Sequence, residues 1–95
     1  MTTATAVEVS IPGPLRDYCR GASSIAVTAP TVREALEELE RTHPSLYSNI
    51  CDETGAVRKH IGVFVNMDHI RDCDGLDTTL APGDVLTILP AVSGG

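Results

Sequence analysis

Val85-Leu86-Thr87-Ile88-Leu89-Pro90-Ala91-Val92-Ser93-Gly94-Gly95 closes the chain. Its first five residues are β-branched or long aliphatic, the composition of a strand buried deep in a sheet. Pro90 lacks an N–H and has a fixed φ, so it marks where that strand stops donating to a ladder and a tail begins. Just upstream, Ala81-Pro82-Gly83-Asp84 has the Pro-Gly centre of a type II turn, which feeds the chain into the strand. Downstream, two glycines without Cβ atoms can take almost any backbone angle and pass through a channel too narrow for other residues. A rigid strand is a firm base for an end that can be threaded into another protein.

Working outward, Ile61-Gly62-Val63-Phe64-Val65 is a second apolar run, which predicts a strand central in the sheet with both faces covered. Phe64 is then either a core residue, the more frequent fate of a large apolar side chain, or part of an exposed docking face. Asn66-Met67-Asp68-His69 turns the chain, because Asn and Asp bond their own backbone in tight turns. Ile70-Arg71 resumes an extended path. Asp74-Gly75-Leu76-Asp77-Thr78-Thr79-Leu80 reads as a loop, and nothing in it buries Asp74 or Asp77 as an acid/base pair would require.

The amino-terminal half has clearer periods. Ala6-Val7-Glu8-Val9-Ser10-Ile11 alternates, predicting a half-buried strand with Val7, Val9 and Ile11 inward. Pro12-Gly13-Pro14 stops it, and Leu15 to Ala22 reads as a loop with Tyr18 and Cys19 as anchors. Ser23 to Thr28 predicts a second strand antiparallel to the first, since the connection is too short for a parallel crossover. Thr31-Val32-Arg33-Glu34 has the form of a capping box. Val32, Ala35, Leu36 and Leu39 follow at helical spacing, with Glu34, Glu37, Glu38, Glu40 and Arg41 on the solvated side. Pro44 ends the helix near Thr42, and His43 is its C-terminal residue, with no His or Cys neighbour for a metal. Between Ser45 and His60 the pattern is weak: Leu46, Tyr47 and Ile50 suit a short helical turn, and Asp52-Glu53-Thr54-Gly55 suits a turn. Arg58-Lys59-His60, the one basic cluster, reads as a solvated strand entry.

Composition excludes whole classes of function. The 95 residues set one domain over 1–95, with the tail at 90–95. A 42% apolar content with no Trp, two Tyr and one Phe demands an aliphatic core. A net charge of −6 lacks the basic footprint of a nucleic-acid binder and favours basic partner surfaces. No run approaches the roughly 20 apolar residues of a membrane span, and the first residues lack the pattern of a signal peptide, so a cytoplasmic protein is expected. Cys19, Cys51 and Cys73 are too few and wrongly spaced for a disulfide framework, a zinc site or a plant-type iron–sulfur cluster. They read as packed or surface thiols.

The tail therefore carries the functional reading. An α-carboxylate, with a reference pKa of about 3.3–3.7, is an anion at neutral pH and a poor electrophile. Attack on the α-phosphate of ATP would turn the carboxylate of Gly95 into an acyl-adenylate. Displacement by sulfur would then give a thiocarboxylate, and displacement by an amine an isopeptide bond. Gly94 must lack a side chain, and Pro90, Ala91, Val92 and Ser93 are the expected channel contacts. The chain ends on Gly95, so no processing step is expected.

The segment Val63 to Arg71 and the tail from Val85 to Gly95 together resemble the MoaD/ThiS-type sulfur carriers, and the tail is most similar to that of the CysO-like carriers of cysteine biosynthesis. Residue patterning by itself supports an α+β chain. The resemblance implies the ubiquitin-like β-grasp, a mixed sheet wrapped around one main helix with a flexible Gly-Gly tail. It further implies a carrier that is not itself an enzyme and binds no cofactor. ATP would be used by an E1-like adenylyltransferase of the MoeB/ThiF/MoeZ type, and a sulfurtransferase would supply sulfur. The acceptor would be a biosynthetic enzyme making cysteine, molybdopterin, thiamin or a sulfur-containing natural product, with a zinc peptidase in the cysteine case. Partner contacts would fall on the tail and on Phe64. The long loop at 51–60 is the expected seat of partner choice. A ubiquitin-like modifier conjugated through Gly95 shares the chemistry up to the adenylate and stands as the alternative.

Overall fold

The computed structural model describes residues 5–90. Five strands form a mixed sheet in the order β2-β1-β5-β3-β4. They are β1 (Ala6–Ser10), β2 (Ser24–Thr28), β3 (Ile61–Val65), β4 (Asp68–His69) and β5 (Val85–Pro90). Helices α1 (Val32–Thr42) and α2 (Pro44–Ile50) lie between β2 and β3 in the chain. β1 and β2 form the expected antiparallel hairpin. β5 returns to lie parallel to β1 on one side and antiparallel to β3 on the other. The first and last strands thus make the centre of the sheet.

The alternation of β1 turns Val7 and Val9 inward, where they meet Val27, Val63, Leu86 and Ile88 beneath α1. The helical stripe Val32, Ala35, Leu36 and Leu39 is buried as its spacing dictates. Thr31 caps α1: its Oγ1 accepts from the Glu34 N–H at 3.3 Å. The helix stops at Thr42, two residues before Pro44, and the His43 N–H still closes on the Leu39 carbonyl. Pro44 then opens α2 at its first turn, where a missing N–H costs nothing.

Several sequence expectations need correction. Gly13–Cys19 is a 3-10 helix rather than a loop, entered from an extended Pro12 and closed by Arg20 in the left-handed region. Of its two expected anchors, Cys19 is buried and Tyr18 is exposed. Ile70-Arg71, expected to be extended, instead opens a 3-10 turn over Ile70–Asp72, capped by His69 Nδ1, which accepts the Arg71 N–H at 3.0 Å. A further 3-10 turn covers Gly75–Asp77 within the expected loop. The turn foreseen at Leu46–Ile50 is a helix of 7 residues that buries Leu46 and Ile50. β3 is an interior strand, paired with β5 and β4, but only one of its faces is fully buried, and β5 is the middle strand.

Candidate functional site

β5 carries the chain to the described residue next to the tail, so its surroundings define the root of the site. Leu86 and Ile88 point into the core, while Val85 and Thr87 are half-buried on the opposite face and Leu89 is 46% exposed. The deep burial expected for the whole strand therefore holds on one face. Among the described residues the helices cover the inner side only, and Gly62, Phe64, Val85 and Thr87 are half-buried on the outer side.

Pro90 stands opposite Ile61 in the β3–β5 ladder. The Asn66 N–H donates to the Val85 carbonyl at 2.7 Å, which fixes the even-numbered amides of β3 toward β5. Ile61 turns its own amide away, to the Arg58 carbonyl at 3.0 Å. The N–H that Pro90 lacks would therefore not have pointed at β3, so its loss takes no hydrogen bond from the β3–β5 ladder. Pairing runs one residue past Leu89, and the tail is rooted firmly.

Phe64 lies on the outer face, half-buried, opposite Thr87 on one side and His69 on the other. Phe64 is therefore neither in the core, the preferred expectation, nor fully exposed. Its ring meets the His69 imidazole edge-on, with centroids 4.8 Å apart and planes at 65°. It also leans back over Gly62: a Cβ at that glycine would come within 3.2 Å of Phe64 Cε1. The bare glycine backbone is thereby shielded by an aromatic ring.

These residues form a groove of about 280 Å³ lined by Gly62, Phe64, His69, Leu89, Pro90 and the cations Lys59 and Arg71. Among the described residues no carboxylate lines it, although the chain has 13 acidic residues. Sequence reasoning found Phe64 and Pro90 but missed Leu89, Lys59, His69 and Arg71 as their neighbours. The alternation of β5 could have exposed Leu89. Lys59 and Arg71 come from separate segments, and only the pairing of β3 with β4 and β5 brings them together.

Gly94, Gly95 and the expected channel contacts Ala91, Val92 and Ser93 lie outside the described residues. Asp77 is exposed and accepts from Arg33 at 3.2 Å, so it is a surface ion pair. Asp74 is likewise exposed. The 51–60 loop is ordered by Asp52, whose Oδ1 accepts from the Thr54 and Ala56 amides at 2.9 and 3.2 Å and whose carboxyl is held below its usual range chiefly by the Thr54 hydroxyl. Cys51 and Cys19 are buried, Cys73 is exposed, and all three are free thiols. Among the described residues no group of His, Cys, Asp or Glu could hold a metal, and no helix is long and apolar enough to cross a membrane.

The family model described as the ThiS family matches residues 9–95. Sulfur carrier protein CysO of Mycobacterium tuberculosis is 34% identical over 91 residues, which span 94% of this chain and 98% of that protein. The crystal structure of the Amycolatopsis orientalis BexX/CysO complex superposes with a TM-score of 0.85 at 37% identity, covering 94% of this chain and 99% of the matched one. The solution structure of small archaeal modifier protein 1 from Methanosarcina acetivorans superposes at 0.83 with 29% identity, covering 99% and 100%.

Proposed function

The chain belongs to the ThiS family and is a sulfur carrier protein of ubiquitin-like β-grasp fold, and from that premise we propose that the sulfur travels as a thiocarboxylate on Gly95. An oxygen of the Gly95 carboxylate attacks the α-phosphorus of ATP on an E1-like enzyme, and pyrophosphate leaves. A persulfide on a sulfurtransferase then attacks the acyl carbon and AMP leaves; a second thiol attacks the sulfurtransferase-side sulfur of the resulting acyl disulfide, which releases the thiocarboxylate and leaves a disulfide behind. The soft sulfur of the product is delivered to a biosynthetic acceptor enzyme in the cytoplasm. In this scheme the chain supplies no catalytic side chain; its contribution is presentation. The observation that carries the reading is a match running through to the terminal Gly-Gly, behind a central strand whose last residue, Pro90, is still held in the sheet.

The groove at the tail root is the docking face in this proposal. Phe64, Leu89 and Pro90 offer apolar contact, and Lys59 and Arg71 select a partner rim carrying carboxylates. Gly94 must pass the partner's channel without a side chain, so Gly94→Val should fold normally and fail to be activated. Normal activation of that variant would end the threading argument.

The test is the intact mass of the chain after incubation with ATP, a sulfur source and extract of the native host, beside a chain lacking Gly94 and Gly95. A gain equal to one oxygen replaced by sulfur, absent from the shortened chain, is expected. The likeness to small archaeal modifier protein 1 favours one second reading, conjugation of Gly95 to lysines. It would appear as a ladder of larger species on a denaturing gel in place of the mass gain.

A further inference from the structure

β2 closes one side of the sheet, with no strand beyond it among the described residues. Its two faces of hydrogen bonding can be assigned. The Ile11 N–H donates to the Ser23 carbonyl and the Ala29 N–H to the Thr5 carbonyl, each at 2.9 Å. Odd-numbered residues of this segment therefore face β1, and Ser24, Ala26 and Thr28 turn their N–H and C=O groups outward. Among the described residues no hydrogen bond takes these groups up, and all three residues are exposed.

Exposed edges are ordinarily guarded by a charge, a proline or a bulge. Ser24-Ile25-Ala26-Val27-Thr28 has none of these, in a chain with 20 charged residues, 13 acidic and 7 basic. The segment is also nearly its own reverse. About a twofold axis at Ala26, Ser24 stands opposite Thr28, Ile25 opposite Val27, and Ala26 opposite itself. Because Ala26 is one of the outward-bonding residues, this register pairs every outward donor with an acceptor. Half-buried Ile25 gains an apolar neighbour on the inner face. The carboxylate that β1 presents on the outer face, Glu8, is opposite Ala26. Its symmetry mate lies three strand spacings away, about 14 Å, beyond the screening length of about 8 Å at physiological salt.

We propose that β2 is a self-recognition edge through which two copies of the chain join antiparallel about Ala26, making one continuous sheet. Two strand positions separate β2 from β5, so Pro90 and the groove at the tail root stay clear of the seam in both copies. A single strand pair buries less than the about 1,200 Å² of a stable complex, so the association is weak and populated near millimolar concentration. With each copy at −6, it strengthens as salt rises.

The test is a dilution series of the full chain followed by backbone amide resonances and sedimentation equilibrium. The Ser24, Ala26 and Thr28 amides should shift with concentration up to about 2 mM, and more so in high salt, while those of Ile25 and Val27, bonded to β1, move less. Ala26→Lys places two ammonium groups at the axis and Ala26→Glu two carboxylates. Each should weaken association at least tenfold, and mixing the two variants should restore it. Both variants should still gain sulfur on Gly95, which separates this proposal from the carrier chemistry. Amide shifts independent of concentration, or association unchanged in Ala26→Lys, would overturn it.

Discussion

Cys51 is 1% exposed at the end of α2, and burial is the main reason its thiol is pushed up from 9.0 to about 11, against the opposing hydrogen bond of Tyr47. A thiol kept protonated is a poor nucleophile. Cys19 is likewise buried, and its Sγ is within 3.5 Å of the Arg16 and Ala22 carbonyls. Alkylation of the native chain near pH 8 should therefore label Cys73 quickly and the other two only on unfolding, as peptide mapping would read. Rapid labelling of Cys51 would contradict its placement. The same shift sets an alkaline limit. The unfolded chain releases this proton from about pH 9, while the folded chain holds it to about pH 11. In that window the unfolded state binds fewer protons, so stability falls as pH rises, at no more than about 1.4 kcal/mol per pH unit. Denaturant titrations at several pH values should show this alkaline loss reduced in Cys51→Ala. Because the sulfur is proposed to ride on Gly95, Cys73→Ser should leave the mass gain unchanged.

Among the elements, the turn between β3 and β4 is the most heavily specified. Asn66 sits in the left-handed region at φ 56°. Its Oδ1 accepts the Val85 N–H and its Nδ2 donates to Asp84 Oδ1, each at 3.1 Å. One side chain thus ties the β3 hairpin to the start of β5. Asn66→Ala should cost about 2–3 kcal/mol by denaturant titration, from about 1 kcal/mol of left-handed strain plus two lost hydrogen bonds at about 0.5–1 kcal/mol each. Asn66→Gly should recover the strain portion; equal losses would show that the backbone conformation is not what Asn supplies. This turn was legible in the sequence, as were β1, the capping of α1 by Thr31 and the stripe from Val32 to Leu39, because each is encoded by neighbours within a few residues. The 3-10 helix at Gly13–Cys19 was not, since Pro-Gly-Pro reads as a stop although Pro14 also suits the first turn of a helix. Nor was the position of β3. Its unbroken apolar run implies cover on both faces, whereas the helices cover one, and Phe64 and Gly62 shield each other on the other.

Across the whole molecule, charge is divided by face. The exposed side of α1 carries Glu34, Glu37, Glu38 and Glu40 against Arg33 and Arg41, while the groove at the tail root is lined by Lys59 and Arg71 with no carboxylate among the described residues. Net charge alone pointed to a basic partner, but the sign that matters for docking is the one beside the tail. An acidic partner rim would be drawn to this face and held off the helix side, orienting the chain with Pro90 toward the channel. Phe64→Asp and Leu89→Asp remove apolar contact from an outer face that the core does not use. Leu89→Asp, at an exposed position, should keep the wild-type melting temperature within a few degrees, while Phe64→Asp, which removes a half-buried ring from His69 and Gly62, should lower it further; both should slow activation in host extract. The charge contribution can be isolated by salt. For the wild type, the rate of thiocarboxylate formation at low carrier concentration should fall as salt is raised from low to physiological levels, because rim charges act on encounter and are screened. Lys59→Glu with Arg71→Glu should start about tenfold slower at low salt and lose that falling dependence, the two curves converging at high salt, where only the apolar contacts and the tail remain. Parallel curves separated by a constant factor would mean that Lys59 and Arg71 act through local contacts and that the face does not steer. A double variant as fast as wild type at every salt would place the docking surface elsewhere on the sheet.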